Sequence, residues 1–407
     1  MTFTPVELEG GLVLRRATAA DRDAIIDLSI EAHGDAELWG ITTLVDGAGV
    51  GLDRFTVVVD GDRVVSTLCL MARTLVVRHD DAVVEIPLGQ PEYVATGAAY
   101  RRRGLVRRQL HVVHGWSEDR ADLAQLIVGI PYFYRRFGYE QALGFAIMEL
   151  GAISTPSGWD TRRATTADIE AVLHLDRAAL TRAAVATPVS KAAWTRYVNG
   201  GRRCNYEAYV AERDGEVGGV GLLVDWGEEF LYAGGIAATD PDGARAVLAA
   251  VAERAAPRQV RAFDRAGTAA GAALATVARR TGDFGVYLRV ADPVALLDRL
   301  RPVLDARLAV STWSAWSGEA VLSLYERGIR FVVEKGRVAA VDEVAGHHDP
   351  TAAGQAACPP DLIATLIFGR VGPEALEERA DDVDLTPHRD LVGILFPRQA
   401  HDLPTEI

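Results

Sequence analysis

Leu14 to Leu28 reads LRRATAADRDAIIDL, and Thr161 to Leu175 reads TRRATTADIEAVLHL. The shared kernel is RRAT-x-AD, followed by apolar residues at helical spacing. It predicts a short strand running into a capped helix, with Thr18 and Thr165 as N-caps and Asp21 and Asp168 three residues on. The segments after the two copies also match. RFTVVVDGDRVVSTLCL (54–70) predicts a hairpin turning at Asp60–Gly61, and YEAYVAERDGEVGGVGLLV (206–224) one turning at Asp214–Gly215. EYVATG (92–97) then precedes a helix from Gly104 to about Asp119. FLYAGGIAA (230–238) precedes one from Pro241 to about Ala255. The order strand, helix, hairpin, strand, helix, strand appears twice, which places two similar α/β domains at residues 1–150 and 155–290.

Residues 291–407 have another pattern. Asp292 to Leu308 predicts a helix. AVLSLYERGIRFVVEKGRVAAVDE (320–343) predicts an antiparallel sheet with turns at Arg327–Gly328 and Lys335–Gly336. Helices near Pro360–Phe368 and Pro373–Arg379 and an apolar strand, LVGILFP (391–397), complete an α+β domain.

The bulk composition narrows the class. A chain of 407 residues exceeds what one hydrophobic core usually serves. An apolar content of 49% and a charged content of 24% are those of a globular protein. No charge-free run reaches the about 18 residues of a membrane helix, and MTFTPVELEGG lacks the basic region of a signal peptide. Cys69, Cys204 and Cys358 are odd in number and far apart, against a disulfide framework or a CxxC zinc site. His33, His111, His114, His347 and His348 show no metal spacing. The expectation is a cytoplasmic protein without a metal. A net charge of −13 disfavours general nucleic-acid binding.

Against that balance stands YRRRGLVRRQL, Tyr100 to Leu110, with five arginines in eleven residues. The chain arrives from a strand and leaves into a helix whose apolar face carries Leu105, Val106, Leu110 and Val113. Arg103, Gly104 and Leu105 therefore sit at a helix N-terminus, where the first N–H groups have no partner and the peptide dipoles favour an anion. Glycine allows close backbone approach, and flanking guanidinium groups bind phosphate oxygens in pairs. The stretch reads as a pyrophosphate cradle. The second copy has ATDPDGARAV (238–247) at this place, where Asp240 and Asp242 would repel a phosphate. One site per chain, in the first copy, is expected.

Strand, then Arg101-x-x-Gly104-x-Val106, then helix, resembles the acetyl-CoA motif of the GNAT acetyltransferases, with Val106 where a small residue is usual. GIPYFYRRFGYE (129–140) carries the FY-x-RFGY segment of the same superfamily. Two such domains plus an α+β third resemble the three-domain family typified by the enhanced intracellular survival (Eis) acetyltransferase, whose last domain is similar to sterol carrier proteins. The resemblance implies tandem GNAT folds, each a mixed twisted sheet flanked by helices, followed by a sterol-carrier-like α+β domain at 291–407. It implies acetyl-CoA as co-substrate, bound by Arg101, Arg102, Arg103, Gly104, Leu105 and Val106 and by the backbone of Val94, Ala95 and Thr96. An extended pantetheine arm pairs with a free strand edge much as an added strand does, and Gly97 is expected to mark the bulge that opens that edge.

Tyr134 takes the place of the general-acid tyrosine, with Tyr132 and Tyr139 as competitors. A tyrosine hydroxyl, ordinary pKa about 10, can donate to a departing thiolate. The base implied is the C-terminal carboxylate of Ile407, with Glu92 as rival. EAHGDAELWG (31–40) supplies Asp35, Glu37 and Trp39 to an acceptor pocket that Tyr93 also borders. The implied activity is acetyl transfer to a primary amine of a cationic, aminoglycoside-like molecule or a lysine side chain, by a hexamer. A coenzyme A or apolar-ligand sensor without turnover, and an acyltransferase using a longer acyl-CoA, are the alternatives.

Overall fold

Both copies of the RRAT-x-AD kernel form the same fork. In the computed structural model, which describes residues 4–47, 50–200 and 204–403, the Thr18 N–H and hydroxyl donate to Asp21 Oδ2 at 2.7 and 2.8 Å. Arg15 adds two parallel bonds of 2.8 Å to the same carboxylate. Thr165, Asp168 and Arg162 repeat the arrangement at 2.7, 2.9 and 2.8 Å. Both aspartates are buried, so the kernel supplies the hydrogen bonds that water cannot reach.

The first copy launches β1 (Val6–Glu7), β2 (Leu12–Arg16), α1 (Arg22–His33), α2 (Leu38–Val45), β3 (Phe55–Asp60), β4 (Arg63–His79), β5 (Ala82–Thr96), α3 (Leu105–Asp119), β6 (Ala124–Ile127), α4 (Pro131–Arg135) and β7 (Glu140–Leu150). The second runs β8 (Asp160–Arg163), α5 (Ile169–Leu180), β9 (Val185–Ala186), α6 (Lys191–Asn199), β10 (Tyr206–Arg213), β11 (Glu216–Val224), β12 (Leu231–Ala238), α7 (Pro241–Ala255), β13 (Val260–Phe263), α8 (Ala269–Val277) and β14 (Ala278–Arg289).

Their strands merge into one mixed sheet, ordered β1-β2-β3-β4-β5-β6-β14-β7-β13-β12-β11-β10-β8. β14 lies antiparallel to both β6 and β7, with Tyr287 opposite Ile127 and Phe284 opposite Phe145. β7 in turn pairs with β13, Phe263 opposite Ile147. The last strand of each copy is thus held among strands of the other. The β4–β5 hairpin is also longer than the sequence pattern conveyed. It pairs from Ser66↔Thr96 out to His79↔Ala82, and its outer end takes β9 alongside Val76 and Val77.

The remainder comprises α9 (Pro293–Ala309), β15 (Gly318–Ser323), β16 (Arg327–Glu334), β17 (Arg337–Ala345), β18 (Ala356–Ala357), α10 (Ile363–Ile367), α11 (Pro373–Glu377), α12 (Arg389–Leu395) and β19 (His401–Asp402). Asp292 caps α9 by accepting from the Ala295 N–H at 2.9 Å. This region docks on β7: Thr365 donates to the Gln141 carbonyl at 3.0 Å and Arg370 to the Leu143 carbonyl at 3.2 Å. One buried cluster joins all three regions, with Ile86, Leu126, Phe145, Trp194, Leu300 and Phe368 among its members. Among the described residues no helix is long and apolar enough to cross a membrane.

Three local expectations need correction. Arg327 and Gly328 lie inside β16, and the chain reverses at Leu324–Glu326, where Tyr325 takes φ +66°. The Leu324 N–H bonds to the Arg327 carbonyl at 2.7 Å across that reversal. LVGILFP is not a strand: it lies largely in α12, with Leu391, Val392 and Leu395 buried on one face. A short apolar run fits either period, and packing decides it. The first hairpin turns at Gly61–Asp62, one residue later than expected, whereas the reversals at Asp214–Gly215 and Lys335–Gly336 fall where the sequence put them, with φ positive at both residues of each.

Candidate active site

The site begins with a fault in the β4–β5 ladder. Thr67 faces Ala95, but the next pair is Cys69 with Glu92, so Tyr93 and Val94 together oppose Leu68. This is a bulge, and it sits at Tyr93–Val94 rather than at Gly97. Gly97 has φ −54° and begins a short turn, with no need for a glycine's conformational range. Tyr93 carries the strain instead: it is a buried non-glycine at φ +51°. Its hydroxyl donates to Glu37 Oε2 at 2.9 Å, which anchors it. On its other edge β5 pairs in parallel with β6 only at Leu88↔Ala124 and Gly89↔Gln125. Past those residues the strands part, and a cavity of about 1550 Å³ opens in the gap.

The arginine turn forms one end of that cavity. Gly104 caps α3 at φ +74°, and Arg102 before it takes φ +64°. The first helical bond runs from the Arg108 N–H to the Gly104 carbonyl at 3.2 Å, so the N–H groups of Leu105, Val106 and Arg107 precede it. A Cβ on Gly104 would meet no atom within 4 Å; it would stand in the open space where an anion has to approach. Arg101, Arg102, Gly104, Leu105, Val106 and Arg107 all line the cavity. Arg101 Nε donates to the Thr96 carbonyl at 3.2 Å, tying the turn to the end of β5. Arg103 points away, donating to the Ala99 carbonyl at 3.3 Å with its guanidinium 5.0 Å from the Tyr100 ring centre. These residues fit a diphosphate: convergent N–H groups, flanking guanidinium groups and room at the glycine.

Three tyrosines competed in sequence, and their surroundings differ. Tyr139 is buried with its hydroxyl 2.8 Å from His114 Nε2. Tyr132 is 70% exposed. Tyr134 is buried against the cavity wall, and among the described residues its hydroxyl has no hydrogen-bond partner. Burial, and then the charge of Glu92, push its pKa up, so it keeps its proton. The sequence reading missed Gly129, which has φ +138° and where a Cβ would lie 3.0 Å from Tyr134 Cε2. That glycine admits the tyrosine ring.

Glu92 lines the same cavity. Gln90 Nε2 donates to Glu92 Oε1 at 2.6 Å, and Arg73 Nε donates to Gln90 Oε1 at 2.8 Å. Burial raises the Glu92 pKa against the opposing pull of Gln90 and Arg73. Val94 and Thr96 also line the cavity. Ala95 does not: its side chain is buried in the core and its carbonyl accepts from Ser66 Oγ at 3.0 Å.

The acceptor residues expected from 31–40 are not on the wall. Asp35 is exposed, Glu37 reaches the cavity only through Tyr93, and Trp39 packs on Tyr206 and Tyr197, ring centres 5.5 and 6.3 Å away. Instead Ala32, His33 and Leu44 border it from α1 and α2.

Ile407 lies outside the described residues. The described part of the tail is held as far as Leu403. β19 runs parallel to β9, and the buried Asp402 accepts from Arg265 Nη2 at 2.7 Å and Nε at 2.9 Å. His401 Nε2 lies 2.8 Å from the Phe368 carbonyl. Leu403, the last described residue, lines the cavity. No short-range signal marks Arg265 and Asp402, which are 137 residues apart. Among the described residues, no group of three His, Cys, Asp or Glu side chains is arranged to hold a metal ion.

Residues 13–142 match the family model described as an acetyltransferase (GNAT) domain. No curated protein matches the chain. Solved structures share the fold over nearly the whole length at low identity. A GCN5-related N-acetyltransferase from Anabaena variabilis aligns at TM-score 0.68 and 14% identity, covering 96% of this chain and 99% of its own. One from Kribbella flavida aligns at 0.67 and 18%, covering 97% and 100%. Eis1 from Mycobacterium abscessus aligns at 0.62 and 14%, also covering 97% and 100%. Residues 13–142 are thus an acetyltransferase domain of the GNAT type, which makes the chain an enzyme of the acyltransferase class.

Proposed function

We propose that the chain transfers an acetyl group from acetyl-CoA to a primary amine. The observation that carries this is the opening between β5 and β6, which brings a free strand edge, the α3 N-terminus and the Tyr134 hydroxyl onto one cavity. The co-substrate supplies an activated thioester. The N–H groups at the start of α3, with Arg101 and Arg102, hold its diphosphate. The edge of β5 at Val94 and Thr96 holds its extended arm. Tyr134 keeps a proton for the departing sulfur, and a carboxylate takes the proton of the attacking amine. That carboxylate is the C-terminus at Ile407 or, in the rival reading, Glu92. A C–N bond forms, the C–S bond breaks, and the thiol leaves protonated.

Only the first copy works in this reading. The N-terminus of α7 is already satisfied, because Asp240 Oδ1 accepts from the Gly243 N–H at 2.8 Å, and Asp242 adds negative charge there. Two GNAT copies, a sterol-carrier-like region at 291–407 and a hexameric assembly belong to the same proposal. Aminoglycosides and peptide lysines are acceptors to test.

Calorimetry should detect uptake of coenzyme A below millimolar concentration, and Tyr134→Phe should cut thiol release with a productive amine at least tenfold. No uptake at millimolar levels would overturn the enzymatic reading.

A further inference from the structure

The charge on the cavity wall runs against a polycationic acceptor. Six arginines line the cavity: Arg73, Arg101, Arg102, Arg107, Arg136 and Arg196. Among the described lining residues the one carboxylate is Glu92. Four of the arginines belong to the diphosphate end, on the turn before α3, on α3 itself or just after α4. Arg196 does not. It stands on α6, one turn beyond Ala192, and shares its wall with Val189 at the approach to that helix. It is half-buried, and among the described residues its side chain has neither an ion pair nor a hydrogen bond. Trp226, Phe284, Phe145 and Leu403 make the same cavity broadly apolar.

A guanidinium on a partly desolvated wall, with no carboxylate partner among the described residues, is matched by a bidentate anion. A polycation would meet like charge there. The acidic groups expected at the acceptor pocket, Asp35 and Glu37, are off the wall.

Building on the acetyltransferase reading, we propose that the acceptor is a primary amine on an apolar body that also bears an anionic group, a carboxylate or a phosphate, which Arg196 binds. The bonds made and broken are those of the acetyl transfer itself. Arg196 touches the substrate away from the reacting atoms and sets specificity, because a site built to pair an anion discriminates against the analogue that lacks it.

The test measures thiol release from acetyl-CoA with phenylalanine, phenylethylamine, phosphotyramine and spermidine, for the native chain and for Arg196→Gln and Arg196→Lys. Phenylalanine and phenylethylamine share a body and differ by the carboxylate, and phosphotyramine separates phosphate from carboxylate. An acidic amine should exceed phenylethylamine at least tenfold in kcat/KM. Arg196→Gln should raise the acidic amine's KM at least tenfold, with Arg196→Lys partly restoring it. The KM values for phenylethylamine and acetyl-CoA, and the melting temperature, should stay unchanged. Preference for spermidine or phenylethylamine, an equal loss with every acceptor, or no use of an acidic amine by a chain that takes up coenzyme A would each overturn this inference alone. Absence of coenzyme A uptake would instead overturn the acetyltransferase reading beneath it.

Discussion

Tyr134 and Tyr139 stand five residues apart in one motif and face different chemistry. Tyr139 shares a buried hydrogen bond with His114, whose pKa burial, with the charges of Arg289 and His111, pushes down to about 3. Tyr139→Phe leaves the imidazole nitrogen without its partner and should cost about 1–3 kcal/mol of stability, read as a lower denaturant midpoint, with kcat changed less than twofold. Tyr134→Phe should do the reverse, slowing turnover at least tenfold with the midpoint unmoved. Equal stability losses would show that both rings only pack. The sequence singled out Tyr134 by its place in the FY-x-RFGY segment alone; the physical difference between the two, a histidine on α3 beside Tyr139 and a carboxylate on β5 near Tyr134, came with the fold. Tyr93 was legible as a pocket candidate, but not as the bulge of β5. Glycine is the ordinary marker of positive φ, and here a tyrosine held by Glu37 takes that role.

At the scale of elements, the capped kernel and the arginine turn were readable because their partners lie within a few residues. Asp168 illustrates the first. Hydrogen bonds from Arg162, joined by those from Thr165, hold its carboxyl down at about 2. The folded value lies below the ordinary one of about 3.9, so this charge stabilises the fold above about pH 4, and the contribution is lost as pH falls toward 2. Asp168→Ala should cost about 1–2 kcal/mol at neutral pH, and the gap between variant and native midpoints should narrow between about pH 4 and 2. A pH-independent gap would sink this account. The α3 turn gives a kinetic expectation: Arg101→Ala with Arg102→Ala should raise the KM for acetyl-CoA with a smaller change in kcat. The two base readings separate by deleting Ile407 and, independently, by Glu92→Gln. Loss of kcat in the deletion alone supports the C-terminal carboxylate, and loss in Glu92→Gln alone supports the rival.

Across the whole molecule, β7 and β14 stitch the copies together, and one buried cluster reaches from Ile86 to Phe368. A fragment ending at residue 150 would leave β7 without β13 and β14, exposing two unpaired strand edges. It should fail to give a cooperative unfolding transition, whereas the full chain should; a soluble fragment that melts cooperatively would overturn this expectation. The tail belongs to the same scale: the Arg265–Asp402 pair holds β19 against β9 and directs Leu403 to the cavity. From the sequence alone came the repeated kernel, the turns at Asp214–Gly215 and Lys335–Gly336 and the glycine-capped arginine turn before α3, each set by contacts within a few residues of one another. Left to the tertiary structure were the exchange of β7 and β14, the bulge at Tyr93, and the arrival of Arg196 and Leu403 at the cavity. An alternating strand says which of its faces is buried but not which strand will lie beside it, and the site is made where those neighbours meet.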